Sequence, residues 1–207
     1  MKRLFAVLLL LLCTGHASAR GLEFSETMRG YVYHEGEFRE ASVSLRVVIP
    51  DIDRWRGNLN LPAAVTGTLF IDRLPAQPIA GTLVILASAP TGDGRVLAYR
   101  FSGTSVQFTG FKHVRDSAGV EVFDAMTTLY GLMQPKGQPL PDFNALITGA
   151  QWSSEFHFDW WNPAVVWDFG ASFQTIATPW YQTLEVQALF VRTMFGALGC
   201  TLFPWLC

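Results

Sequence analysis

Phe24-Ser25-Glu26-Thr27-Met28-Arg29-Gly30-Tyr31 sets Phe24, Glu26, Met28 and Gly30 at every second position, the spacing that puts residues on one face of a β-strand. The stretch reads as a strand whose apolar side carries a carboxylate. A carboxylate buried alone is too costly to keep, so Glu26 demands a cationic or hydrogen-bonding partner from elsewhere in the chain.

The same two-residue rhythm continues outward. Val43, Leu45, Val47 and Ile49 alternate with Ser42, Ser44, Arg46 and Val48, the pattern of a half-buried strand. Pro50-Asp51-Ile52-Asp53 breaks the run, and Arg54 to Pro62 reads as an irregular connection. Two further strands are expected over Ala64 to Ile71 and Ile79 to Leu86, separated by a segment holding Pro75 and Pro78, which cannot donate to a ladder. Thr91-Gly92-Asp93-Gly94 is a turn signal. Beyond it Leu97, Tyr99 and Phe101 alternate, followed by Val106, Phe108, Gly110 and Lys112. The spacing predicts a mainly β fold: an antiparallel barrel or sandwich.

The later chain adds expected strands around Val120 to Leu132 and Leu146 to Trp160, the second with Trp152, Phe156, Phe158 and Trp160 on one face and Glu155, His157 and Asp159 on the other. Asn162 to Thr178 has no consistent period and reads as a long aromatic loop with room for a short strand. Thr178-Pro179 is a helix start, threonine as N-cap and proline at the first helical position. A C-terminal helix over 179–199 follows, with Leu184, Ala188, Val191, Phe195 and Leu198 as its stripe and Gly199 as its cap.

Lys2 and Arg3, the apolar run Leu4 to Cys13 and the triplet Ala17-Ser18-Ala19 have the form of a secretory signal peptide over 1–19. The expected location is therefore periplasmic or secreted, with residues 20–207 as one domain. Cleavage takes the 15 basic groups to 13 against 17 acidic ones, a net charge of −4, which argues against nucleic acid as a partner. Cys200 and Cys207, the two cysteines that remain, would meet in an oxidising compartment. A disulfide is expected there, with a free or metal-bound pair as the alternatives.

Phe24-x-Glu26-x-Met28-x-Gly30, Gly110-Phe111-Lys112 and Asp124-Ala125-Met126-Thr127-Thr128-Leu129-Tyr130 together resemble an accessory β-domain found beside the flavin domain of cholesterol-oxidase-like members of the glucose-methanol-choline oxidoreductases. The resemblance implies a module that accompanies enzymes acting on sterols or other bulky lipids, and it carries no catalytic residues over. The flavin part itself is missing: Gly92-Asp93-Gly94 is followed by Arg95-Val96-Leu97 without the third glycine of a dinucleotide turn, so neither FAD nor NAD is expected as a cofactor.

Other chemistry is weakly marked. There is no G-x-S-x-G elbow, since Gly170-Ala171-Ser172 lacks its partner glycine. Glu155, His157 and Asp159 could hold a divalent ion or supply a general base, but their alternation with aromatics makes them a solvent face. Asp51-x-Asp53 reads as a turn cap and not as a calcium loop. No metal site is expected.

Lys112 shares the odd inward placement of Glu26, and the two are expected to pair inside, with Arg46 or Arg100 as substitutes for the lysine. The pair would fix strand register or address the polar end of a ligand in an aromatic-lined cavity. The expected function is a non-catalytic lipid- or sterol-binding module, its ligand met by Glu26, Met28, Lys112, Trp152 and Phe156. Docking onto a separate flavoenzyme and a small periplasmic enzyme are the rivals. Peripheral membrane contact through the aromatic last third is a further expectation, against which the C-terminal helix lacks a basic face.

Overall fold

A computed structural model describes residues 20–115, 121–141, 143–148, 152–177 and 182–202. The expected signal peptide, the Thr178-Pro179 helix start and the Cys200–Cys207 disulfide lie outside the residues or side chains described. The strands are β1 (Gly21–His34), β2 (Glu37–Ile49), β3 (Pro62–Ile71), β4 (Gln77–Ser88), β5 (Arg95–Ser102), β6 (Val106–Val114), β7 (Thr128–Pro135), β8 (Ser154–His157) and β9 (Gln174–Ile176). All neighbours in the sheet are antiparallel.

The order β2-β3-β4-β5-β6-β7-β8-β1 closes on itself through β1–β2, giving an eight-stranded barrel and deciding between barrel and sandwich. Closure depends on β1, which pairs with β2 from Leu22 to His34 along one edge. Along its other edge it pairs first with β9 (Gly21 to Glu23) and then with β8 (Arg29 to Val32). Closing the sheet leaves few free ladder groups, the general advantage of a barrel.

The alternation read from the sequence is the inside–outside alternation of the wall. Leu22, Phe24, Glu26 and Met28 of β1 are buried, while Ser25, Thr27 and Arg29 are exposed. Val43, Leu45, Val47 and Ile49 of β2, Tyr99 and Phe101 of β5, and Phe108 and Lys112 of β6 are buried in the same way. Eight strands enclose a bore that side chains can fill. Phe101 and Phe108 stack at 4.6 Å, and Phe108 meets Phe156 edge-on at 6.0 Å. Each such ring removed from water stabilises the fold by about 1.5–3 kcal/mol.

Five helices are described: α1 (Ile52–Gly57), α2 (Glu121–Thr127), α3 (Phe143–Thr148), α4 (Pro163–Ala171) and α5 (Thr183–Leu202). Four correct the sequence reading. The supposed irregular connection after Pro50 contains α1, because the Asp51 carboxylate caps it by accepting from the Arg54 N–H at 2.9 Å, and Trp55 gives it a buried side chain. The strand expected over Val120 to Leu132 begins only at Thr128; Glu121, Ala125 and Met126 favour the helical turn before it. Most of Leu146 to Trp160 is likewise not strand. β8 needs only four residues to bridge β7 and β1, and α3 covers part of the rest.

The aromatic loop of Asn162 to Thr178 contains α4 and then β9. Its signal was present: Asn162 accepts from the Ala164 N–H at 3.1 Å and Pro163 takes the first position, the same N-cap–proline pairing that marks a helix start elsewhere. α5 confirms a C-terminal helix but runs through Gly199 to Leu202, so that glycine is not its cap. Its buried face is Val186 and Phe190, whereas Leu184 and Val191 of the expected stripe are 78% and 48% exposed.

α1, α4 and α5 close the barrel end where β1 begins. The interior-facing ring of Phe24 stacks on Phe173 at 5.0 Å and touches Phe169 of α4 and Phe190 of α5, and Phe190 stacks on Trp55 of α1 at 5.5 Å. At the rim, Arg20 binds Asp53 of α1 at 2.9 Å and Glu185 of α5 at 2.7 Å. The two carboxylates, Glu185 foremost, raise the Arg20 pKa. These exposed pairs orient the helices more than they stabilise them.

Candidate functional site

Within the bore, Glu26 finds the partner its placement demanded. Lys112 Nζ donates to Glu26 Oε1, and the Tyr99 hydroxyl donates to Glu26 Oε2 at 3.0 Å. Lys112 also sits 5.5 Å from the centre of the Tyr99 ring, within reach of a cation–π attraction. β5 and β6 present the two partners because Tyr99 and Lys112 occupy inward positions on neighbouring strands.

All three side chains are buried. Desolvation raises the Tyr99 pKa well above the usual phenol value, reinforced by the negative charge of Glu26 and then by the hydrogen bond to it. Both carboxylate oxygens of Glu26 are thus engaged by protein, and the trio is electrostatically complete without a further group. In the sequence Tyr99 is marked only by its alternation with Leu97 and Phe101. Its hydroxyl is the feature the sequence reading missed, although an inward tyrosine near an inward carboxylate is a usable signal. The proposed substitutes point elsewhere: Arg46 binds Glu23, and Arg100 is exposed on the outer wall.

Met28 and Phe156 also lie inside, both fully buried. Trp152 does not join them. It lies before β8, is 37% exposed and packs outside the wall against Phe111 at 4.9 Å and Tyr130 at 5.6 Å. The single face drawn through Trp152, Phe156, Phe158 and Trp160 fails because strand parity holds only over Ser154–His157.

Glu155, His157 and Asp159 are solvent-facing. His157 Nε2 lies 2.7 Å from Glu155 Oε1, and His157 Nδ1 lies 3.2 Å from Thr128 Oγ1. This hydroxyl–imidazole–carboxylate chain has the atoms of a nucleophile relay, but Thr128 is buried in the wall while His157 is open to water. The sealed hydroxyl is poorly placed to attack a substrate. Among the described residues no three His, Cys, Asp or Glu side chains form a metal-binding group. Asp51 and Asp53 serve as helix cap and ion-pair partner.

An apolar opening lies at α4. A cleft of about 620 Å³ is lined by Trp160, Pro163, Val166, Trp167, Gly170 and Ala171, none of them charged. Trp167 is 76% exposed at its edge and neighbouring Trp161 is 82% exposed. The inner side of α4 is anchored by Phe169, which meets Phe158 at 5.3 Å and Phe173 at 5.1 Å. An apolar outer face therefore stands on a packed support. No helix among the described residues is long and apolar enough to cross a membrane.

Comparison with protein-family models, with curated proteins and with solved structures finds no match for this chain.

Proposed function

We propose that the chain is a non-catalytic module that binds a lipidic molecule at the tryptophan-lined cleft of α4. The observation that carries this reading is the uncharged wall of that cleft, Trp160, Pro163, Val166 and Trp167, beside two largely exposed tryptophans. Its volume falls in the range of small-molecule sites, about 300–1,000 Å³. Large rings left in water cost free energy that an apolar ligand would recover. The exposed Leu184 and Val191 of α5 add apolar surface. In this reading the Glu26–Lys112–Tyr99 trio holds the barrel rigid behind the site. The resemblance of the Phe24–Gly30 stretch to the accessory β-domain of cholesterol-oxidase-like flavoproteins favours a sterol among lipids. The apolar leader fits an exported carrier of such a molecule.

Native mass spectrometry of the exported protein, followed by solvent extraction, tests the proposal together with titration by a panel of sterols. A stoichiometric sterol or lipid is expected, with affinity lowered at least tenfold by Trp167→Ala. Failure to take up any of the panel would overturn it, as would uptake indifferent to Trp167→Ala. Co-purification of an empty protein with an oxidoreductase would instead support the docking role.

A further inference from the structure

A second cleft, of about 350 Å³, lies on the outer wall across β4, β5 and β6, beside α3. Thr82, Arg100 and Thr109 form one lateral row there: Thr82 is paired with Arg100 across β4–β5, and Arg100 with Thr109 across β5–β6. All three line the cleft.

Two members of the row have no partner among the described residues. Thr109 is fully buried and its hydroxyl has no hydrogen bond. Buried hydroxyls are normally paired, so an orphan of this kind calls for an explanation. Arg100 is exposed, and among the described residues no hydrogen bond or ion pair engages its guanidinium, although Arg20, Arg39, Arg46 and Arg73 all have carboxylate partners. No described carboxylate lines the cleft.

Val84, Val96, Ala98 and Phe143 make one side of the remaining wall apolar, while the polar Asn60 and Ser88 stand at its edge. The upper edge is shaped by an irregularity in β4. The register with β5 shifts between Val84 and Ala87, and Leu86 takes a left-handed conformation at φ 59°. Such bulges re-aim side chains and recur beside binding sites.

We propose that this cleft binds an amphiphilic carboxylate. One guanidinium supplies charge for one carboxylate, whose planar pair of oxygens matches the guanidinium fork. Rotation of Thr109 about its Cα–Cβ bond offers the orphan hydroxyl as a donor beside it, and Thr82 flanks the other side. The apolar body lies along Val84, Ala98 and Phe143. A single cation between hydroxyls suits a monoanion better than a multiply charged phosphate. The site is separate from the α4 cleft and does not depend on what that cleft takes.

Isothermal titration with octanoate, octanol and sulfate on the full mature chain tests this. Octanoate is expected to bind saturably, octanol at least tenfold more weakly, and sulfate without displacing octanoate. Arg100→Gln should weaken octanoate at least tenfold and Thr109→Val about fivefold, both with unchanged circular dichroism, whereas Trp167→Ala should leave it unaltered. Absence of octanoate binding at millimolar concentration would overturn the proposal. Equal binding by Arg100→Gln, or loss of binding only in Trp167→Ala, would overturn it too, the latter assigning the fatty acid to the α4 cleft. Displacement of octanoate by sulfate would show a general anion site and also count against it.

Discussion

The ring of Phe108 occupies the space that a side chain at Gly131 would need: its Cζ lies 2.3 Å from the position of a Cβ there. Gly110 meets the same ring at 2.4 Å, and the two glycines are paired across β6 and β7. The bore is thus widened on one side so that a single phenylalanine can lie flat against backbone. Gly131→Ala is expected to destabilise the fold by about 1–3 kcal/mol through overpacking. Combining it with Phe108→Leu should recover part of the loss in urea unfolding. Recovery stays incomplete because the Thr109 carbonyl also lies 2.8 Å from the new Cβ.

The interior ion pair makes an asymmetric prediction. Lys112→Met leaves Glu26 with only the Tyr99 hydroxyl, and Glu26→Leu leaves Lys112 with no carboxylate. Each single change should cost about 3–5 kcal/mol, because a buried charge loses its counter-charge. The double variant Glu26→Leu/Lys112→Met should be more stable than either single one. Denaturant midpoints of the four proteins check this, and simple additivity would show that the pair is not coupled.

Tyr99 adds a pH signature. Its folded pKa is raised by burial and by Glu26, so the folded protein holds the phenolic proton more tightly than the unfolded chain does. The associated stability is fully present below about pH 10, the ordinary phenol value, and is lost as pH rises above it toward the folded pKa. As pH rises above about 10 the denaturation midpoint should therefore fall more steeply in the natural protein than in Tyr99→Phe. Parallel slopes would show that Tyr99 titrates normally.

The orphan hydroxyl of Thr109 predicts a gain. Thr109→Val keeps the shape and removes a buried polar atom without a partner, so thermal unfolding should shift upward by an amount equivalent to about 1 kcal/mol or more. A loss of stability would mean that the hydroxyl has a partner in solution.

The wall of the barrel was legible in the sequence because most of its strands are wetted on one side only, β6 with its buried outward Thr109 and Phe111 being an exception. Leu45 and Arg46, or Phe108 and Gln107, advertise their sides by polarity alone. Even the Glu26–Lys112 contact followed from two charged residues falling on apolar parity. Local alternation, however, cannot tell which strand returns to β1, and closure rests on the four-residue β8 within a stretch whose aromatics imitate a longer strand. The face of α5 was misread for a related reason. Nearly every turn of that helix is apolar, so its stripe is chosen by Phe24 and Trp55 across the contact and not by its own pattern. The α4 cleft was foreshadowed only as aromatic content, because the exposure of Trp161 and Trp167 is decided by Phe169 turning inward.

The two-edged role of β1 bears on how the chain is made. The β1–β2 ribbon can zip as soon as both strands have emerged, since Glu37 pairs with His34 across a short turn. Its opposite edge must wait: Arg29 meets His157 only after nearly the whole wall has been synthesised. Contacts between such distant positions carry a large loop-closure cost and form late. Until then the β1 margin is an unsatisfied template, open to strands of other nascent chains.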